Sequence, residues 1–71
     1  MSKEAKELAK AIKKEQKKLI RFAKRHGLYE DFGQAEYKRL EDKYIDLYYV
    51  DKDIARLLDG FFDWCINYDG K

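Results

Sequence analysis

Between Lys3 and His26 the apolar residues Ala5, Leu8, Ala9, Ile12, Leu19, Ile20, Phe22 and Ala23 recur every three or four positions. At about 100° per residue this spacing gathers them on one side of a helix, whereas a strand would scatter them over both faces. Proline is absent and glycine occurs only four times, so little in the chain opposes long helices. The fold is thereby limited to amphipathic helices that each hide one face.

The pattern stops and restarts once in the first half, at RHGLYEDFGQAE, residues 25–36. Gly27 stands where a helix-ending glycine belongs, after a basic last turn, and Leu28 is expected to fold back against that helix. Asp31 followed three residues later by Gln34 reads as a variant capping box opening a second helix. His26 shares the inner side with Leu8, Ile12 and Leu19, near a helix end where an imidazolium would complement exposed carbonyls. Ser2 is the expected N-cap of the first helix.

Tyr37, Leu40, Tyr44, Leu47 and Tyr48 form the apolar face of a second helix reaching about Tyr49. Asp51 and Asp53 both qualify as N-caps of a third, which carries Ile54, Leu57, Leu58, Phe61, Phe62, Trp64, Cys65, Ile66 and Tyr68. These residues cover roughly 200° of the third helix, against about 100° for an ordinary surface helix. Only Lys52, Arg56, Asp59, Asp63 and Asn67 are left clearly facing water, so this helix is central to a bundle or covered by another molecule.

The expectation is an all-α, compact three-helix bundle, one domain over residues 1–71, with helices about 3–26, 32–49 and 52–68. Seventy-one residues lie near the lower limit for a core without disulfides or metals. The alternative is a helical hairpin: nothing between Gly33 and Gly60 forces a break, and one arm of about 36 residues would overhang and call for dimerisation. A shift of about 60° in the apolar face near Val50-Asp51-Lys52-Asp53 favours a corner.

Residues for chemistry are sparse. Cys65 is the single cysteine and His26 the single histidine, too few to hold a metal. Asp51, Asp53 and Asp59 resemble an acidic metal loop, but the sixth and twelfth positions counted from Asp51 are Arg56 and Phe62, where such a loop needs Gly and Glu. Gly33 in DFGQ lacks every other part of a kinase site. The chain is read as no enzyme, with no cofactor, metal or small-molecule substrate. Cys65 is a packing residue, and a lone cysteine suits a reducing cytoplasm. The N-terminal segment lacks the apolar block of a secretory signal, and the longest apolar run, residues 47–50, is far too short to span a membrane.

Charge divides the sequence. Residues 1–26 hold ten Lys or Arg against three Glu, a net +7, while residues 27–71 hold six against eleven acids, a net −5. Lys3, Lys6, Lys10, Lys13, Lys17, Arg21 and Lys24 repeat at helical spacing and form a basic stripe opposite the apolar one. Such a stripe suits the phosphates of a nucleic acid or an anionic membrane surface. Six Tyr, four Phe and one Trp compete with it, because so small a core cannot readily cover them all. Tyr49, Trp64 and Tyr68 beside Asp46 and Asp63 have the composition of a protein-binding hot spot with a polar rim. The leading expectation is therefore a non-enzymatic protein-binding module, possible homodimer included, and the alternative is a nucleic-acid binder using the basic stripe.

The segment GLYEDFGQAEYKRLEDKY is similar to a stretch found in small proteins of phages and prophages of Gram-positive bacteria. That resemblance implies a short accessory factor acting on a host or phage macromolecule in the bacterial cytoplasm, an inhibitor or adaptor rather than an enzyme. It assigns no role to any individual residue.

Overall fold

A computed structural model of the chain describes residues 1–70; Lys71, the last residue of the expected domain, lies outside the described residues. Three helices, α1 (Lys3–His26), α2 (Gln34–Tyr48) and α3 (Lys52–Asn67), make an all-α three-helix bundle, with no strand among the described residues. The bundle measures 37 × 18 × 17 Å. At 1.5 Å per residue α1 is about 36 Å long and so runs its full length.

The beginnings of α1 and α3 are fastened together. Ser2 Oγ accepts from the Ala5 N–H at 3.1 Å and donates to Asp51 Oδ2 at 2.8 Å. Asp51 Oδ1 in turn accepts from the N–H groups of Asp53, at 2.9 Å, and Ile54, at 3.3 Å. Both expected caps therefore form, and of the two aspartates it is Asp51 that caps α3. The Ser2 hydroxyl, followed by these backbone donors, holds the Asp51 carboxyl below the ordinary aspartate range. With α1 and α3 starting at one end, α2 runs antiparallel between them in sequence.

The corner settles the choice between bundle and hairpin. The N–H groups of Val50 and Asp51 both turn back onto the Leu47 carbonyl, at 3.1 and 2.8 Å, and Asp51 takes extended backbone angles. A single 36-residue arm does not form.

α3 is the central helix, packed against both others, while α1 and α2 touch more sparsely. Leu8, Ile54, Leu58 and Phe61 are fully buried, and Ala5, Ile12, Leu19, Ala23, Phe32, Leu40, Tyr44 and Cys65 complete the core. Glu15, on the α1 side facing α2, is mostly buried and bonds Arg39 of α2 at 2.8 Å. Because Arg39 is largely exposed, this pair fixes the relative position of two helices more than it stabilises them.

Three local expectations are corrected. His26 is exposed and packs at a tilt against Phe22, with ring centroids 4.5 Å apart, instead of joining Leu8 on the inner side. α2 and α3 are only about 22 and 24 Å long, so the last turn of α1 projects past the helices that would have covered it. Leu28, for its part, stays 47% exposed and lines a groove with Ile66. The capping box at Asp31 and Gln34 is absent, and α2 starts at Gln34, not near residue 32. Its N-cap is Gly33, in left-handed geometry (φ 80°) and without a side-chain cap. Asp31 contributes its backbone carbonyl, which accepts from the Gln34 N–H at 3.0 Å. Residues 29–32 are already spent on a turn closed by Phe32 N–H to the Tyr29 carbonyl, which leaves Asp31 outside and drives Phe32 into the core.

Gly33 answers two demands at once: positive φ, and contact with α3 so close that a Cβ would collide with Cys65 Sγ. Gly33→Ala should therefore lower stability by about 2–4 kcal/mol, combining left-handed strain with overpacking. Adding Cys65→Ala should recover only the collision part. Gly60 is a helical glycine with open space around it, and Gly60→Ala should raise stability by about 0.5–1 kcal/mol. Urea titrations of the four chains check both signs.

Candidate functional site

The turn after α1 carries Leu28, Tyr29 and Phe32, and its geometry produces a depression on the molecule's surface. Gly27, with φ 80°, ends α1 by donating to the Ala23 carbonyl at 2.8 Å and sends the chain across the end of the bundle. Phe32 then enters beneath α3. Its ring lies parallel to Tyr68 at 5.0 Å, tilted against Trp64 at 5.8 Å and edge-on to Tyr29 at 5.8 Å. Trp64 also contacts Phe61 and Tyr68. These contacts are ordinary aromatic packing, each worth about 0.5–1.5 kcal/mol beyond burial, and together they hold the turn in place.

Between this turn, the first turn of α2 and the last turns of α3 lies a groove of about 370 Å³. Gly33 and Cys65 form its floor. Leu28, Tyr29, Phe62 and Ile66 form walls that remain partly exposed, with Ile66 at 64%. Tyr37 supports one wall: its ring packs on Phe62 at 5.1 Å and its hydroxyl donates to Glu41 at 2.9 Å. Burial first, then that hydrogen bond, raises the Tyr37 pKa well above the ordinary tyrosine value, so the hydroxyl stays neutral and remains a donor.

Carboxylates gather at one side of the groove. Glu30 lines it, and Asp31 and Glu36 line an adjoining depression that shares Tyr29 as a wall. Glu36 Oε1 is buried and has no hydrogen-bond partner among the described residues. An unsatisfied buried acceptor next to apolar walls calls for a donor, preferably a cationic one.

The aromatic and acidic residues picked out in the sequence fall into two places. Trp64 and Tyr68 belong to the groove end: Tyr68 lines the groove, and Trp64 is half-buried behind Phe32. Asp63 is exposed on the same part of α3, where its carbonyl accepts from Asn67 Nδ2 at 2.9 Å. Asp46 and Tyr49 lie at the α2–α3 corner, about 18 Å away along α3; Tyr49 is 79% exposed and rests edge-on against Tyr48. All seven cations of the basic stripe are exposed.

Sequence reasoning missed the groove walls, Leu28, Tyr29, Phe62 and Ile66, and the floor at Gly33. The available signal was the excess width of the third helix's apolar arc, combined with a connection that carries Leu28, Tyr29 and Phe32.

Chemically the groove is a partly exposed apolar surface with carboxylates at one side. Cys65 is its single nucleophile, and burial, then the Glu36 charge, pushes that thiol up to about 11. Among the described residues no three His, Cys, Asp or Glu side chains gather around a common point to hold a metal ion, and no helix is long and apolar enough to cross a membrane.

At pH 8 the native thiol should react with iodoacetamide about a hundredfold more slowly than in urea, because folding pushes its pKa up to about 11. Its effect on stability has a definite sign. The thiol is harder to ionise when folded, so its contribution holds below pH 9 and declines as pH climbs from 9 toward about 11. Urea midpoints across that range, compared with Cys65→Ala, test it.

Comparison of the chain with protein-family models, with curated proteins and with solved structures found no match.

Proposed function

We propose that the chain is a non-enzymatic protein-binding module, of adaptor or inhibitor type, that receives an amphipathic basic segment of another protein in the groove between the 27–33 turn and α3. One observation carries this reading: apolar walls left open to solvent stand beside Glu30, Asp31 and the unsatisfied Glu36 carboxylate. A volume of about 370 Å³ falls within the range of small binding clefts. An apolar anchor would enter between Phe62 and Ile66, with a Lys or Arg one helical turn away reaching the acids. The net −5 of residues 27–71 favours a basic partner over an acidic one and speeds the encounter. A small phage accessory factor working in the host cytoplasm would act in this manner. A second copy of the chain is the competing occupant, since its own first helix is basic.

The test uses a model peptide of alternating Leu and Lys at helical spacing, with a Leu/Glu peptide as control, titrated into isotopically labelled protein. The Leu/Lys peptide should shift the amides of Leu28, Gly33, Phe62 and Ile66, and Ile66→Asp should weaken it by about tenfold or more. Because Ile66 is mostly exposed, that substitution leaves the fold intact. Shifts confined to Tyr49 and Val50, or equal binding of both peptides, would refute the groove as the site. Concentration-dependent shifts at the same residues without peptide would assign the groove to a second copy.

A further inference from the structure

Near the C-terminal end of α1 the basic stripe borders an exposed aromatic pair, with Arg21 common to both. Lys3, Lys6, Lys10, Lys13, Lys17, Arg21 and Lys24 are all exposed, and none makes an ion pair among the described residues. The three acids of α1 leave this face unneutralised. Glu15 is taken up by Arg39, at 2.8 Å, and Lys18, at 3.9 Å. Glu4 and Glu7 stand near the start of the row, on the side close enough to α2 to help raise the Tyr44 pKa. The row is a line of free positive charge about 32 Å long.

Through Arg21 the row meets a shallow depression of about 250 Å³ lined by Lys18, Arg21, Phe22, Arg25 and His26, round the helix from Lys17 and Lys24. Phe22 is 45% exposed although it is a large apolar residue, and its ring lies 4.5 Å from that of His26 and 5.4 Å from that of Tyr29. Packing does not require these rings to face water; the projecting last turn of α1 puts them there. Lys24, Arg25 and His26 also offset the negative end of the helix dipole, which would otherwise repel an anion.

Cations alone would suit any polyanion. Cations beside half-exposed rings suit one kind in particular, a chain whose phosphates alternate with unpaired planar bases. We propose that α1 is a binding surface for single-stranded nucleic acid, in which the lysine row follows the phosphates and the Phe22–His26 pair stacks a base. A duplex keeps its bases stacked on each other and gains only the charge contribution. The stripe carries no Asn or Gln to read base edges, so binding is independent of sequence. This surface is separate from the groove and does not rest on the groove's role.

Fluorescence anisotropy with a labelled fifteen-nucleotide oligothymidine, and with a duplex of equal length, tests the proposal. At about 50 mM salt the single strand should bind at micromolar concentration and more tightly than the duplex. Affinity should fall with salt at a logarithmic slope of about −3 to −5, as expected for four to seven phosphate contacts on a single strand. Phe22→Ala should weaken the single strand about tenfold while leaving that slope unchanged, and Phe22→Trp should restore binding. Lys17→Gln should reduce the slope by about 0.7. Ile66→Asp, in the groove wall, should leave all of this unaltered. No binding at 50 mM salt overturns the proposal, as does duplex binding equal to single-strand binding. Phe22→Ala that is folded by circular dichroism but binds like the parent overturns it as well.

Discussion

The bundle depends on burial of the apolar arc of α3. Ile54, Leu58 and Phe61 lie fully covered between α1 and α2, with Cys65 nearly so. The two outer helices touch sparsely and share one ion pair whose arginine is largely in water. Each fully buried aliphatic or aromatic side chain is worth about 1.5–3 kcal/mol, so α3 supplies a stabilisation comparable with the whole net stability of a small domain. Hydrogen bonds at the helix beginnings then set the alignment, with Ser2 and Asp51 serving both α1 and α3.

Two neighbours cannot cover a face about 200° wide. Residues at the margin of the arc, Phe62 and Ile66, are left over, and the aromatic turn that crosses the bundle end covers only part of them. The groove is thus a by-product of how the core is made. Its acids lie on the 27–33 turn and α2 and the free cations on α1, giving one small molecule two surfaces of opposite sign.

The elements were largely legible in the residues. Periodicity gave the three helices, the absence of proline kept them long, and the change of phase near Val50 located the corner because a new helix need not continue the old register. Geometry beyond one helix was not legible. A helical wheel puts His26 with Leu8, but a wheel carries no information about where neighbouring helices end. Asp31 and Gln34 have the spacing of a cap, yet the close approach of Gly33 to Cys65, a contact between residues 32 positions apart, decides where α2 begins. Asp46 and Tyr49 shared a composition with Trp64 and Tyr68 and turned out to occupy the other end of the molecule. The groove arises from three segments at once, so its walls were visible in the sequence only as an unexplained surplus of apolar residues.

Trp64 is the only indole in the chain, and it sits against Phe32, whose ring also touches Tyr29, which touches Phe22. The tryptophan is therefore joined by successive ring contacts to both exposed surfaces. An occupant of either surface that displaced Tyr29, and through it Phe32, would alter the surroundings of the indole, so the protein would carry its own optical indicator without an attached dye.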